Sequence, residues 1–181
     1  MKRLRTIFLG LFCLSVAVTA AAHRQASARD VERIKREVMH EVLMLPYYDV
    51  FDAIGYKVDG NTVTLTGAVT RPTLKTDTEN AVKKIEGVEK VINNIEVLPP
   101  SPNDDRLRLQ LYRAIYGYPA LEKYALLSIK PIRIIVKNGR VSLEGTVNSE
   151  GDKTLAGMQA NSVPGIFAVQ NNLAVASGKQ A

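Results

Sequence analysis

Few residues in this 181-residue chain have the types and spacing that enzyme chemistry requires. The best match to a phosphate-binding loop runs from Gly145 to Gly151 and continues as Asp152, Lys153 and Thr154. Such a loop cradles phosphate with backbone N–H groups and needs its lysine directly after the last glycine. Here an aspartate stands between the glycine and the lysine, so the spacing argues against nucleotide binding.

Residues for metal and nucleophile chemistry are equally scarce. The chain has two histidines and one cysteine, and no constellation with metal-ligand spacing surrounds His23 or His40. Cys13 lies inside an apolar run, where it is a small hydrophobic residue, and no Gly-x-Ser-x-Gly elbow is present. The neighbouring carboxylates Asp104 and Asp105 are explained by a helix start. We therefore predict a protein that is not an enzyme and has no catalytic residue, metal or cofactor.

One segment combines cations with aromatic rings in a way that suits a lipid surface. Rings that lie at headgroup depth and cations that meet phosphate favour an anionic bilayer. An alternative stays open, in which the tyrosines belong to the core and the arginines only face water. The candidate lipid-surface residues are Arg106, Arg108, Tyr112, Arg113 and Tyr116.

The start of the chain has the pattern of an export signal. Lys2, Arg3 and Arg5 precede an uncharged run that ends at Ala22, as in secretory signal peptides. We predict a signal peptide over residues 1–22, with Ala28 as an alternative end. The uncharged run is shorter than the ~20 residues of a bilayer span, so removal is favoured over an uncleaved anchor, which stays the alternative.

An internal repeat is the strongest signal in the sequence. Four residues of one strand-like segment return later at identical spacing: Val63, Leu65, Gly67 and Val69 match Val141, Leu143, Gly145 and Val147. The second copy carries a few additional residues around 127–134. A match in both residue type and spacing indicates a tandem duplication.

Each copy has the same order of predicted elements. Aspartates (Asp30, and Asp104 or Asp105) are expected to cap the first helix, whose apolar residues recur every four positions. Asp59-Gly60 and Asn138-Gly139 predict two tight hairpins. A second helix follows (about 72–85 and 152–163), with Leu155 and Met158 as its apolar face in the second copy, and then a last strand. The predicted fold is α+β: two tandem αββαβ domains, each a small three-stranded mixed sheet with two helices packed on one face.

The repeated motif resembles the BON domain (bacterial OsmY and nodulation). Its pattern is Asp-Gly-x-x-Val-x-Leu-x-Gly-x-Val, then a helix, then Gly-Val-x-x-Val-x-Asn-x-Ile-x-Val, which the first copy matches from Asp59 to Val97. The resemblance implies a periplasmic protein with an OsmY-like layout: BON domains at 30–98 and 103–176, a proline-rich linker at 99–102, and a disordered tail at 177–181. The motif residues are expected to shape the fold rather than a site, with Gly67 and Gly145 relieving crowding at a strand end; they are Gly60, Gly67, Gly87, Asn93, Gly139, Gly145, Gly165 and Asn171.

The family likeness also implies a non-enzymatic envelope protein, exported by the Sec pathway and linked to osmotic stress. The net charge of +6 divides unevenly, because residues 30–98 carry 12 acidic and 9 basic side chains and residues 103–176 carry 6 and 9. We therefore expect the second copy to bind an anionic phospholipid surface. The alternative partner is an envelope protein, with a scaffold or stress-chaperone role; neither nucleic acid nor a small-molecule substrate is expected.

Overall fold

A computed structural model describes residues 27–176 of the chain. The predicted signal peptide 1–22 and the predicted tail 177–181 lie outside the described residues.

The first half forms a mixed sheet with two helices on one side. Strand β1 is antiparallel to β2, while β3 and β4 both run parallel to β2. The last two are one predicted strand, interrupted at residues 94–95, where the N–H of Ile95 donates to the side chain of Asn93 at 3.1 Å. The elements are α1 (Ala28–Leu43), β1 (Ala53–Asp59), β2 (Thr62–Val69), α2 (Pro72–Lys83), β3 (Lys90–Asn93) and β4 (Glu96–Val97).

The second half repeats this plan, which confirms the predicted tandem α+β fold. Its additional residues form a 3-10 turn (Pro119–Leu121) and the short helix α4 (Glu122–Ala125) before the first strand, neither of which the sequence predicted. Strand β5 is antiparallel to β6, and β7 and β8 run parallel to β6. The other elements are α3 (Pro102–Tyr116), β5 (Ile132–Lys137), β6 (Arg140–Val147), α5 (Glu150–Asn161), β7 (Ala168–Asn171) and β8 (Ala174–Val175).

Each half has its own apolar core between helices and sheet. Helix α1 buries Ile34, Val38 and Val42, and α3 buries Leu107, Leu111 and Ile115, as their spacing predicted. The predicted apolar face of α5 is correct for Leu155, which is half-buried and packs against the core, but wrong for Met158 of this helix. Its buried face consists of small residues, Ala156, Gly157 and Ala160, while Met158 is 60% exposed. Small side chains there let the helix backbone approach the sheet closely.

Serines, rather than the predicted aspartates, cap the first helix of each half. The Ser27 hydroxyl accepts a hydrogen bond from the backbone N–H of Asp30, and the Asp30 carboxylate accepts one from the N–H of Ser27, a reciprocal capping box. Ser101 caps α3 through the N–H of Asp104 at 3.2 Å. Pro102, expected at the end of the linker, is the first residue of α3, where its missing N–H costs nothing.

Two motif glycines sit inside strands at a point where any side chain would collide. Gly67 and Gly145 both have φ of +108°. A Cβ atom at either position would lie 2.0 Å from a carbonyl oxygen, that of Ala53 or of Pro131. They lie within β2 and β6 rather than at a strand end, so crowding is the correct reason but the expected place was wrong.

The loop that joins α1 to β1 packs the first half against the second. The N–H of Ile134 donates to the carbonyl of Val50 at 2.9 Å, and the Val50 side chain, 3% exposed, belongs to the core of the second half. The Arg133 guanidinium donates to the carbonyl of Asp49 at 2.8 Å and stacks on the ring of Tyr48 at 4.5 Å. The two halves therefore share an interface.

Candidate functional site

Helix α3 presents an exposed face of two cations with a leucine between them. Arg106, Leu109 and Arg113 are all exposed, Leu109 by 52%, and their spacing of three and four residues puts them on one side of the helix. Arg106 donates to the side chain of Asn103 at 2.8 Å. Arg113 has no carboxylate partner among residues 27–176. We call Arg106, Leu109 and Arg113 the α3 face.

Arg108, a candidate from the sequence, does not lie on that face. Its side chain is buried (5% exposed), donates to the carbonyl of Val136 at 2.7 Å and pairs with Asp105. The guanidinium thus links α3 to the neighbouring hairpin. It contacts protein groups and cannot reach a lipid headgroup, so the prediction for this residue is corrected.

Tyr116 is likewise a core residue and not a surface one. Its hydroxyl donates to the carbonyl of Ile132 at 2.6 Å and accepts from the N–H of the same residue at 3.1 Å. Burial raises the pKa of the Tyr116 hydroxyl well above its usual range. Tyr112 is half-buried, with its ring 5.0 Å from that of Tyr116 and 6.4 Å from that of Phe51. For these two tyrosines the open alternative, a core role, describes the structure better.

One buried carboxylate in each half accepts hydrogen bonds from backbone N–H groups. Asp104 accepts hydrogen bonds from the N–H groups of Asn138 and Gly139, at 2.8 and 2.9 Å, and so fastens α3 to the β5–β6 turn. In the first half, Asp52 accepts from the N–H of Thr70 at 2.6 Å. Both carboxylates therefore hold backbone N–H groups that are distant in sequence, which is a structural role.

The segment that resembled a phosphate loop is occupied by the chain's own groups. It leads into α5, where Ser149 caps the helix and Asp152 occupies its first turn. The Asp152 carboxylate accepts from Lys123 at 2.9 Å and from Tyr124 at 2.8 Å. Burial would raise the pKa of Asp152, but hydrogen bonds from Lys123, Tyr124 and Ser149 outweigh it and hold this pKa below the usual value. A phosphate would meet a carboxylate at this helix start.

A groove of about 870 Å³ lies between the two halves. Its two carboxylates are engaged, because Glu96 pairs with Lys137 and Glu144 accepts from Asn172 at 2.7 Å. Of its two cations, Arg133 donates to the carbonyl of Asp49, while Lys130 donates to the carbonyl of Leu127 and has no carboxylate partner among residues 27–176. The remaining walls are mainly apolar or small. Without free polar groups that converge on one point, the groove has no obvious recognition site for a polar substrate.

Metal and membrane-spanning features are absent from the described part of the chain. Residues 27–176 contain no group of three His, Cys, Asp or Glu side chains that could hold an ion. No helix in the same range is long and apolar enough to cross a bilayer.

A comparison with models of known protein families shows to which family the chain belongs. The BON domain profile matches residues 30–99 and 119–177. The chain belongs to the BON domain family. Two matched segments agree with two tandem BON domains. The second match begins after α3, yet the structure gives α3 the position that α1 has in the first BON domain, so the α3 face lies on a part of the domain outside the matched segment.

Two of the solved structures that are similar to this chain are of a secretion-system protein. One is described as "Structural studies of CdsD, a structural protein of the Type III secretion system (TTSS) of Chlamydia trachomatis"; it is 16% identical, covers 80% of this chain and 94% of that chain, and has a TM-score of 0.29. The second is the C-terminal domain of CdsD, which is 15% identical; the match covers 77% of this chain and 96% of the CdsD chain, with a TM-score of 0.28. No curated protein matches the chain.

Membership in the family describes the function only coarsely. BON domains are non-catalytic binding domains, typical of periplasmic or envelope-associated proteins and associated in general with membranes or phospholipid. In this BON protein the repeated asparagines have a structural role. Asn93 donates to the carbonyl of Lys75 at 2.9 Å and Asn171 to that of Lys153 at 2.7 Å, each tying the last strand to the second helix of its domain.

The exposed Leu109 is a surface feature that the sequence reasoning missed. The spacing of Leu109 relative to Arg106 and Arg113 predicts one shared helix face, whereas a mixture of arginine and tyrosine along a helix does not distinguish one face from another. Among the predicted residues, the structure brings Arg106 and Arg113 together and separates Arg108 and Tyr116 from them.

Proposed function

We propose that this BON protein is a non-catalytic envelope module that binds the surface of anionic phospholipid bilayers through the α3 face. In this proposal the signal peptide directs the protein to the periplasm, where membrane binding supports envelope integrity under osmotic stress. The observation that carries the proposal is the α3 face itself, with exposed Arg106 and Arg113 on either side of exposed Leu109.

The charge of the second BON domain supports this choice of partner. Residues 103–176 carry three more basic than acidic side chains, whereas residues 30–98 carry three more acidic than basic ones. Each arginine near an anionic leaflet contributes about 1 kcal/mol. The leucine adds an apolar contact at the level of the headgroups. Binding should therefore be weak, reversible and sensitive to salt.

Vesicle co-sedimentation tests the proposal. The protein should sediment with vesicles of phosphatidylglycerol and phosphatidylethanolamine at low salt, less at high salt, and little with phosphatidylcholine alone. The double variant Arg106→Glu/Arg113→Glu should weaken binding at least about tenfold, since four charge units change near the leaflet. The matched control Arg36→Glu/Lys84→Glu makes the same change on exposed cations of the first domain and should bind as the unaltered protein does.

Two results would count against the proposal. One is binding that ignores both salt and the α3 charge reversal. The other is an equal loss in the control variant, which would indicate a response to net charge and not to the α3 face.

A second candidate is a periplasmic scaffold or stress chaperone without direct lipid contact. The groove between the domains favours it, because apolar walls and the edge strands β1 and β5 lie beside each other there. Crosslinking of a partner to Ile135, which lines the groove, in the absence of lipid would support this candidate over the first.

A further inference from the structure

The connection between α4 and β5 carries three large apolar side chains that the described chain leaves about half-exposed or more. Leu126, Leu127 and Ile129 are 81%, 48% and 50% exposed. Exposed apolar residues are ordinary when they are scattered singly, whereas a contiguous group marks a contact surface. We call residues 126–130 the apolar loop.

The first BON domain serves as an internal comparison for this loop. Its corresponding connection, between α1 and β1, directs Val50 into the core of the second domain and packs Phe51 against the same core. Val50 and Phe51 therefore have partners within the protein, whereas Met44, at the start of the same connection, is exposed. The apolar loop follows α4 in the longer connection of the second copy, and there three neighbouring apolar side chains are about half-exposed or more. Folding of this chain alone does not explain them.

The charge around the apolar loop favours an anionic partner. Between Glu122 and Glu144 the chain has five basic residues and no acidic one. Two of the five, Lys137 and Arg140, lie at the β5–β6 turn, away from the loop. The cations that flank the apolar loop itself are Lys123 and Lys130. The ammonium group of Lys130 donates only to the carbonyl of Leu127, at 3.1 Å, and has no carboxylate partner within residues 27–176. The Lys123 side chain is 50% exposed although it pairs with Asp152.

We propose that the apolar loop inserts into the acyl region of an anionic bilayer, with Lys130 and Lys123 at phosphate depth. The leucines and the isoleucine leave water for hydrocarbon, while lysine stems lie along the apolar layer and keep their ammonium groups among the phosphates. The choice of a bilayer rests on the proposed function, but the contact is separate from the α3 face. The α3 face attracts the protein electrostatically to anionic headgroups, and the apolar loop buries apolar side chains in the bilayer.

Insertion can be measured with a fluorophore on the loop. In full-length protein that carries Cys13→Ser, Leu126→Cys provides a single labelling site for an environment-sensitive dye. On addition of phosphatidylglycerol-containing vesicles, we expect a blue shift and quenching by brominated acyl chains. The matched control is Met44→Cys, an exposed apolar position (68%) directly after α1 in the first domain, which should show neither.

A second variant measures the contribution of the loop to affinity. Leu126→Ser/Leu127→Ser should weaken vesicle binding by about tenfold or more, because burial of each leucine stabilises the bound state by a comparable factor. Both positions are exposed, so the variant should fold normally, and Met44→Ser should bind like the unaltered protein.

The outcomes separate this inference from the proposed function. Salt-sensitive binding with a dye that stays in water would overturn insertion and leave the α3 face standing. Absence of vesicle binding would overturn both. A blue shift that depends on protein concentration without vesicles would replace the bilayer by a second copy of the chain.

Discussion

Shortening Val50 should destabilise the second BON domain, although this valine belongs to the first copy of the repeat. Its side chain is 3% exposed and lies in the core formed by α3, α5 and β5–β6. The matched control is Val38→Ala. Val38 is also buried (0% exposed) but lies in the core of the first domain, so the two variants make the same chemical change in opposite cores.

The size of the effect follows from the atoms removed. Val50→Ala deletes two buried methyl groups, each contributing about 0.8 kcal/mol of transfer free energy, and leaves a small cavity. The free energy of unfolding should fall by about 2 kcal/mol. For a chain of this length that corresponds to a Tm decrease of about 4–8 °C.

Native-state hydrogen exchange shows which domain loses stability. With Val50→Ala, we expect amides of α3 and β5 to exchange about thirtyfold faster, the equivalent of 2 kcal/mol, with smaller changes in α1 and α2. Val38→Ala should show the reverse distribution. If Val50→Ala instead accelerates exchange in the first domain and leaves α3 and β5 unchanged, the assignment of this side chain to the second core is refuted.

Three further predictions concern contacts within the second domain. Gly145→Ala should lower the free energy of unfolding, measured in urea, by about 3 kcal/mol or more, because Gly145 has a φ of +108° and an added Cβ would collide with a carbonyl oxygen. The control Gly151→Ala should be neutral or slightly stabilising, because its Cβ would meet nothing closer than 3.6 Å. The lowered pKa of Asp152 means that its contribution is present above the unfolded value near 3.8 and is lost as pH falls through the lower folded pKa; Asp152→Asn should lower stability at pH 7 and flatten its decline in acid, and an unchanged acid profile would contradict this. Tyr116→Phe should cost about 1–2 kcal/mol by leaving the backbone groups of Ile132 without their partner, with unaltered vesicle binding; a loss of binding without a loss of stability would restore Tyr116 to the lipid surface.

Local patterns were sufficient to predict the architecture of each domain. Apolar spacing in α1 and α3 and the turns at Gly60 and Gly139 report on neighbours close in sequence, so helix faces and hairpins could be predicted. The duplication supported each assignment, because the same pattern of apolar residues and turns occurs in both copies. The interruption of the last strand was not predicted; at that point the backbone N–H two residues after Asn93 and Asn171 donates to the asparagine side chain.

Contacts between distant parts of the chain were not predictable in the same way. The burial of Arg108 depends on a carbonyl of Val136 in another element, and the position of Val50 depends on the other domain. The composition of α3 suggested a basic surface, and Arg106 and Arg113 are exposed. It could not show which cations fold back onto protein, because long side chains can reach either water or a neighbouring backbone.

The capping box of α1 bears on the predicted site of signal-peptide cleavage, because the two predicted positions lie on either side of Ser27. A peptidase that cuts after Ala28 would remove Ser27 and put a new, positively charged amino group at a helix end that already has positive dipole character. Loss of the cap alone costs about 1 kcal/mol. A cut after Ala22 leaves Ser27 and its bonds with Asp30 in place. Of the two predicted cleavage positions, only the earlier one delivers a first BON domain with its leading helix intact.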